Sequence, residues 1–172
     1  VSVVPGFNID SLCRIAEQAE EGCFVEVGVY RGGTAYYLNE IAIEQGRKLY
    51  LYDTFDGIPY QDEVMGDRHR VGDFSDTSMA EVVAAVPEAI VVKGLFPASI
   101  IPMPPVAFAH IDCDQYQSII DSVHALRPLM VDGGIMLFDD YGCLEGATRA
   151  VEELFPKDRI ISTDVGKAMV IF

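Results

Sequence analysis

Two short apolar runs in this chain each stop on aspartate, and together they leave little freedom of fold. Val106-Ala-Phe-Ala-His-Ile ends at Asp112, with Asp114 just beyond, and Gly134-Ile-Met-Leu-Phe ends at Asp139-Asp140. Runs of this length and character are expected as strands buried on both faces, the hallmark of a parallel sheet. Side by side, their carboxyl ends bring Asp112, Asp139 and Asp140 to one rim, where open α/β sheets hold their ligands. Unpaired, three carboxylates in one crevice repel one another. A hard divalent cation such as Mg²⁺ relieves that repulsion, because it takes oxygen ligands and keeps positions open for water or substrate. These three aspartates are therefore candidate metal ligands. Asp114 is a candidate general base, with capping of the next helix as the plain alternative.

The rest of the chain alternates in the same way, apolar runs with helical patterns, which predicts βαβ units and a sheet covered by helices on both faces. Asn8 and Asp10 are candidate caps for an opening helix that reaches about residue 21. Strands are expected at 23–28, 48–53, 89–93, 106–112, 134–139, 159–163 and 167–172. Helices are expected at 33–45, 78–86, 115–130 and 145–155. Asp164-Val165-Gly166 is a turn-sized gap, so the last two strands should close the sheet as an antiparallel hairpin. The prediction is an α/β chain of 172 residues in one domain, with a central, mostly parallel seven-stranded sheet. Residues 54–77, polar and without periodicity, read as a lid or acceptor loop.

Twelve Lys and Arg against 27 Asp and Glu give a net charge of −15, which disfavours nucleic acid and anionic membrane partners. Cys13, Cys23, Cys113 and Cys143 lack metal-finger spacing and read as reduced, mostly buried thiols of a cytoplasmic protein. No stretch has the length and apolarity of a membrane span. The partner expected is a small molecule, and a homo-oligomer is compatible with the sequence.

Phe24-Val-Glu-Val-Gly-Val-Tyr-Arg-Gly-Gly-Thr34 places glycines where the first strand turns into a helix, so that a ligand can approach backbone amides closely. The spacing is E-x-G-x-x-x-G and not the G-x-G-x-x-G of pyrophosphate-binding folds; it suits a cofactor with an amino-acid tail and a ribose. Asp53 closes the second strand, where a carboxylate commonly holds a ribose diol. Glu26, Gly28, Gly32, Thr34 and Asp53 are the cofactor candidates. Tyr30 and Arg31 join them as partners for a carboxylate, or else are simply exposed. His69 belongs either to a lid over the acceptor or to a solvated basic tip; His110 and His124 read as structural. Tyr116 and Tyr141 either line the acceptor pocket or pack.

The segments FVEVGVYRGGT, YDTFDGIP, GDFSDTS, VKGLFP, HIDCDQYQS and GGIMLFDDYG resemble, in content and order, the class I S-adenosylmethionine-dependent methyltransferases. Within that class the chain is similar to the macrocin O-methyltransferase-like sugar-modifying enzymes. The resemblance implies a Rossmann-like class I fold and S-adenosylmethionine as cofactor, with Glu26, Gly28, Asp53 and Asp112 around it. It also implies Mg²⁺ or another divalent cation on Asp112, Asp139 and Asp140, and a hydroxyl of a sugar or glycosylated natural product as methyl acceptor. Asp112 and Asp114 are then the candidates for accepting the hydroxyl proton. A nicotinamide-dependent oxidoreductase is the alternative enzyme, and a non-catalytic S-adenosylmethionine-binding module the alternative without chemistry.

Overall fold

The computed structural model describes residues 6–172. All its strands join one sheet in the order β3-β2-β1-β4-β5-β7-β6. Along the chain these are β1 (Cys23–Val27), β2 (Leu49–Asp53), β3 (Ile90–Lys93), β4 (Val106–Ile111), β5 (Met130–Asp139), β6 (Ile161–Asp164) and β7 (Lys167–Ile171). Five helices separate them: α1 (Gly6–Glu17), α2 (Gly33–Glu44), α3 (Met79–Ala85), α4 (Tyr116–Leu126) and α5 (Glu145–Leu154). The first five strands are parallel, and β7 runs antiparallel between β5 and β6. The closing hairpin thus forms as expected, with its second strand inserted against the sheet and its first at the edge.

Alternation along the strands divides the core. Val25 and Val27 of β1, Tyr50 and Tyr52 of β2, Ala109 and Ile111 of β4 pack against α4 and α5. Phe24, Leu49, Leu51 and Phe108 point the other way, onto α1, α2 and α3. Every residue of β1 and β4 is buried, so both must be apolar on both faces unless a polar side chain finds a partner. The exceptions, Glu26 and His110, face each other across the β1–β4 ladder.

Several boundaries differ from expectation. The helix predicted over 115–130 stops at Leu126, because Pro128 cannot supply an α-helical N–H, and a 3-10 turn over Arg127–Leu129 takes over. Strand β5 consequently starts at Met130, four residues before the predicted start. Asp10 lies inside α1 and is exposed, so it caps nothing; the side chain of Asn8 is outside the described part. All four cysteines are free, but only Cys23 is buried; Cys143 is exposed. Among the described residues no helix is long and apolar enough to cross a membrane.

Candidate functional site

At the carboxyl ends of β1, β2, β4 and β5 lies a cavity of about 360 Å³, within the range that holds small ligands and cofactors. Gly28, Tyr30, Arg31, Thr34, Asp53, Asp112, Asp114, Asp139 and Asp140 all line it. Of the cofactor candidates, Glu26 and Gly32 are not on its wall.

The glycine turn is fixed from two sides. Asp53 Oδ2 accepts hydrogen bonds from Val29 N at 2.7 Å and Tyr30 N at 2.8 Å, while Oδ1 accepts from Phe55 N at 2.6 Å. A carboxylate offers about four lone-pair directions; three go to these amides, and Thr54 Oγ1, 3.5 Å from Oδ1, has its one proton better placed for the Gly57 carbonyl at 2.8 Å, so one direction remains for a ligand. Tyr30 and Arg31 are tied to the end of the 54–77 segment: both bond the Asp76 side chain, and Arg31 Nε also donates to the Asp76 carbonyl. Gly28, at φ +90, has a different neighbour from the one its sequence context suggests. A β-carbon there would lie 1.8 Å from the Asp112 carbonyl oxygen. Its missing side chain lets β1 approach β4, and thereby sets where Asp112 sits.

Glu26, fully buried, lies beneath this turn and bonds His110 Nδ1 at 2.8 Å, leaving its own Oε2 and His110 Nε2 without hydrogen-bond partners among the described residues. His110 is thus structural on one side only. His124 is exposed.

The aspartates gather at the strand ends, but the expected trio of Asp112, Asp139 and Asp140 is not one group: Asp139 and Asp140 fall in different groups, each with Asp112. A carboxylate oxygen from each of Asp112, Asp114 and Asp140 lies within 4.8 Å of the others; a second group within the same span comprises His110, Asp112 and Asp139. Asp112 belongs to both groups. Burial and the charges of Asp139 and Asp114 push the Asp112 carboxyl well above the usual carboxylate range. Burial, the charge of Asp140 and a hydrogen bond with Asp140 do the same for Asp114, and Asp140 is raised more modestly. Neither Asp114 nor Asp140 caps a helix with its side chain: α4 and α5 have Gln115 and Leu144 at their N-caps, without side-chain cap bonds. The first-turn amide of Tyr116 donates instead to Asp67 Oδ1 at 2.7 Å.

That bond comes from a residue without a sequence signal. Asp67, 5% exposed, also accepts from Asp62 N, and Gln115 reaches back to donate to the carbonyls of Tyr60 and His69. The 54–77 segment is therefore pinned to the start of α4. It contributes Ile58, Pro59, His69 and Phe74 to the cavity wall, and His69 Nε2 stands 3.9 Å from Asp114 Oδ1. His69 is part of the site and not a solvated tip. Tyr116 and Tyr141 are not in the wall; their hydroxyls donate to Glu153 and Glu152 of α5.

Backbone strain is concentrated at the same place. The non-glycine residues at positive φ among those described are Tyr30, Phe55, Phe74, Asp114 and Asp140, and all but Phe55 line the cavity.

A glycine turn, an acid on β2 and a carboxylate cluster at the ends of β4 and β5, on a sheet closed by an inserted antiparallel strand, define a Rossmann-like ligand-binding fold. The profile of the macrocin-O-methyltransferase (TylF) family matches residues 9–170, and the chain belongs to that family. It is 28% identical over 141 residues to the 8-demethyl-8-(2,3-dimethoxy-alpha-L-rhamnosyl)-tetracenomycin-C 4'-O-methyltransferase of Streptomyces olivaceus, an alignment covering 70% of this chain and 53% of the relative. The chain thus spans about half the length of that curated relative. Its fold is similar to that of the O-methyltransferase NovP, with a TM-score of 0.81 and 25% identity over 94% of this chain and 79% of NovP. It is also similar in fold to the calicheamicin methyltransferase CalS11, with a TM-score of 0.76 and 19% identity over 96% of this chain and 77% of CalS11.

Proposed function

We propose that this protein is an S-adenosylmethionine-dependent O-methyltransferase that methylates a hydroxyl of a sugar or glycosylated natural product with the help of a divalent cation, Mg²⁺ or a relative. The observation that carries the proposal is the convergence, in one cavity, of the Asp53-braced glycine turn with four carboxylates at the ends of β4 and β5. Family membership and the rhamnose-modifying relative support the acceptor class.

The residues suit both absent groups. Asp53 has a lone-pair direction left for a ribose hydroxyl, while Glu26, buried behind the cavity wall, would act on the cofactor through the turn it underlies. Gly28, Gly32 and Thr34 shape the turn, with Tyr30 and Arg31 on its outer side. Asp112, Asp139 and Asp140 offer hard oxygen donors; burial first, and mutual repulsion after it, raises the carboxyl pKa of Asp112 and Asp140, and a cation would relieve that repulsion. Such a cation supplies Lewis-acid charge that makes a hydroxyl more acidic and orients it.

The protein's own part is alignment and proton removal. Methyl transfer is an in-line displacement, so Asp112 and the turn around Gly28 must place acceptor and donor on one axis. Asp114 takes the hydroxyl proton: its raised pKa makes it a stronger base than an ordinary carboxylate, and His69 Nε2 stands 3.9 Å from its Oδ1. The pinned 54–77 segment covers the cavity and excludes water. Four free thiols and the acidic surface suit a reducing, cytoplasmic setting.

The test is methyl transfer from radiolabelled S-adenosylmethionine to a panel of nucleotide sugars, rhamnosides and catechols, with and without EDTA. Labelling of a sugar hydroxyl that EDTA abolishes and Mg²⁺ restores is the expected result. Binding of the cofactor without transfer to any member would point to a non-catalytic module, and undiminished transfer in EDTA would remove the cation from the mechanism.

A further inference from the structure

The carboxylate cluster already contains a cation, and it belongs to the protein. Lys167, the first residue of β7, is fully buried, and its Nζ lies 2.6 Å from Asp139 Oδ1. The contact is an ion pair without the direction of a hydrogen bond, and Asp139 is the carboxylate within 4.0 Å of the ammonium among the described residues. The antiparallel β5–β7 ladder puts it there, because Asp139 and Lys167 are direct cross-strand partners. Its charge also reaches Asp112 and Asp140, where it offsets part of the pKa rise. Buried lysines are rare, and one placed in an acidic crevice has a local purpose.

Beside it stands a second set of donors. A ring nitrogen of His110 and an oxygen from each of Asp112 and Asp139 lie within 4.8 Å of one another. His110 is fully buried. Its Nδ1 lies 2.8 Å from Glu26 Oε1, and in the neutral ring that donates from Nδ1 to this carboxylate the lone pair falls on the unpartnered Nε2. A carboxylate behind an imidazole is the arrangement that orients histidines as metal ligands. One nitrogen and two carboxylates would favour Co²⁺, Zn²⁺ or Fe²⁺, whereas an all-oxygen set suits Mg²⁺.

We propose that Lys167 is the resident cation of the His110–Asp112–Asp139 group, and that it keeps this nitrogen-containing site closed so that a single divalent ion is confined to the outer carboxylate oxygens. Lys167 is thus a specificity-determining residue: it holds Asp139 Oδ1, leaves Oδ2 for another partner, and denies His110 to softer metals. The outer ion belongs to the function proposed above; the closure of the inner site stands on Lys167 and His110 themselves.

Chelator-treated protein is titrated with Co²⁺, and bound ions are counted by calorimetry while the visible absorption reports nitrogen ligation. The parent should bind one Co²⁺ per chain with the weak bands of an oxygen-ligated ion. Lys167→Met should gain a further Co²⁺ with stronger, shifted bands, and adding His110→Gln should abolish the gain. Lys167→Met with the parent's stoichiometry, affinity and spectrum would overturn the proposal. Should that variant not fold, His110→Gln in the parent decides: an unchanged Co²⁺ spectrum is expected, and a changed one shows that His110 already ligates and Lys167 closes nothing. A parent that binds no Co²⁺ or Mg²⁺, beside a Lys167→Met that binds Co²⁺ through His110, would refute the metal-assisted reaction and sustain the inner site.

Discussion

Replacing Gly28 with alanine should damage two sites at once, although the substitution adds one methyl group. The β-carbon would meet the Asp112 carbonyl oxygen at 1.8 Å and its carbon at 2.5 Å, and both atoms belong to backbone that no rotamer change can move. Restoring even a 3.0 Å contact requires the ends of β1 and β4 to part by 3.0 − 1.8 = 1.2 Å. The adjacent bond from Asp112 N to Val27 O, now 2.8 Å, would not survive that. Left-handed strain at φ +90, overpacking and the lost bond together cost on the order of 4 kcal/mol, a large share of the stability of a typical domain. Urea unfolding measures the loss. Gly46→Ala is the control, because φ there is +67 but nothing stands within 4 Å, so only left-handed strain of about 1 kcal/mol applies. Calorimetry on whatever remains folded should show weaker binding of both S-adenosylhomocysteine and Mg²⁺, since Asp112 moves with the turn. If Gly28→Ala matches Gly46→Ala in stability and binds both ligands like the parent, the reasoning about the β1–β4 approach is wrong.

Asp114→Asn should lower turnover by about 10²- to 10⁴-fold while Mg²⁺ affinity stays within a few-fold, and full activity would return Asp114 to a passive role. The same variant should be more stable than the parent without metal. The folded-state pKa of Asp114 is raised, so its ionised form is disfavoured by folding, and the destabilisation is absent in acid and grows as pH rises through that pKa. Melting temperatures near pH 4 and pH 8 should therefore differ little between the two proteins at the lower pH and favour the variant at the higher. Asp67→Ala strips acceptors from Tyr116 N and Asp62 N and should cost about 2–3 kcal/mol. Hydrogen exchange should then rise across residues 54–77 and at the start of α4; unchanged protection there would show that the segment is held by other contacts.

Periodicity and strand-end position made the frame legible. Two buried runs ending in aspartate had to be neighbouring parallel strands for their carboxylates to meet, and β4 and β5 are paired in register from Phe108 with Ile135 to Ile111 with Phe138. Asp53 was legible for the same reason. What was not legible depends on contacts between distant segments. Asp67 lies in a polar loop with no period, and its role exists only because that loop packs on α4. Lys167 follows a turn and reads as a solvated hairpin residue, as lysines usually are; only the insertion of β7 beside β5 sets it against Asp139. Gly28 was singled out for a ligand's approach, whereas the neighbour the structure gives it is the Asp112 backbone, which sequence could not supply.

These omissions share a physical cause. Each residue compensates a cost that the site imposes on the fold: Lys167 offsets carboxylate repulsion, Asp67 and Asp53 bind amides that the loops leave open, and Gly28 permits an approach no side chain allows. The cavity also collects the non-glycine left-handed residues Tyr30, Phe74, Asp114 and Asp140. Both strain and like-charge repulsion raise the free energy of the empty site, and a cation or a correctly shaped ligand lowers it. A chain selected for stability alone would place neutral side chains at Asp112, Asp114 and Asp140 and dispense with a buried lysine. That it carries the charges, and then the residues needed to tolerate them, is the physical argument behind the function proposed for this crevice.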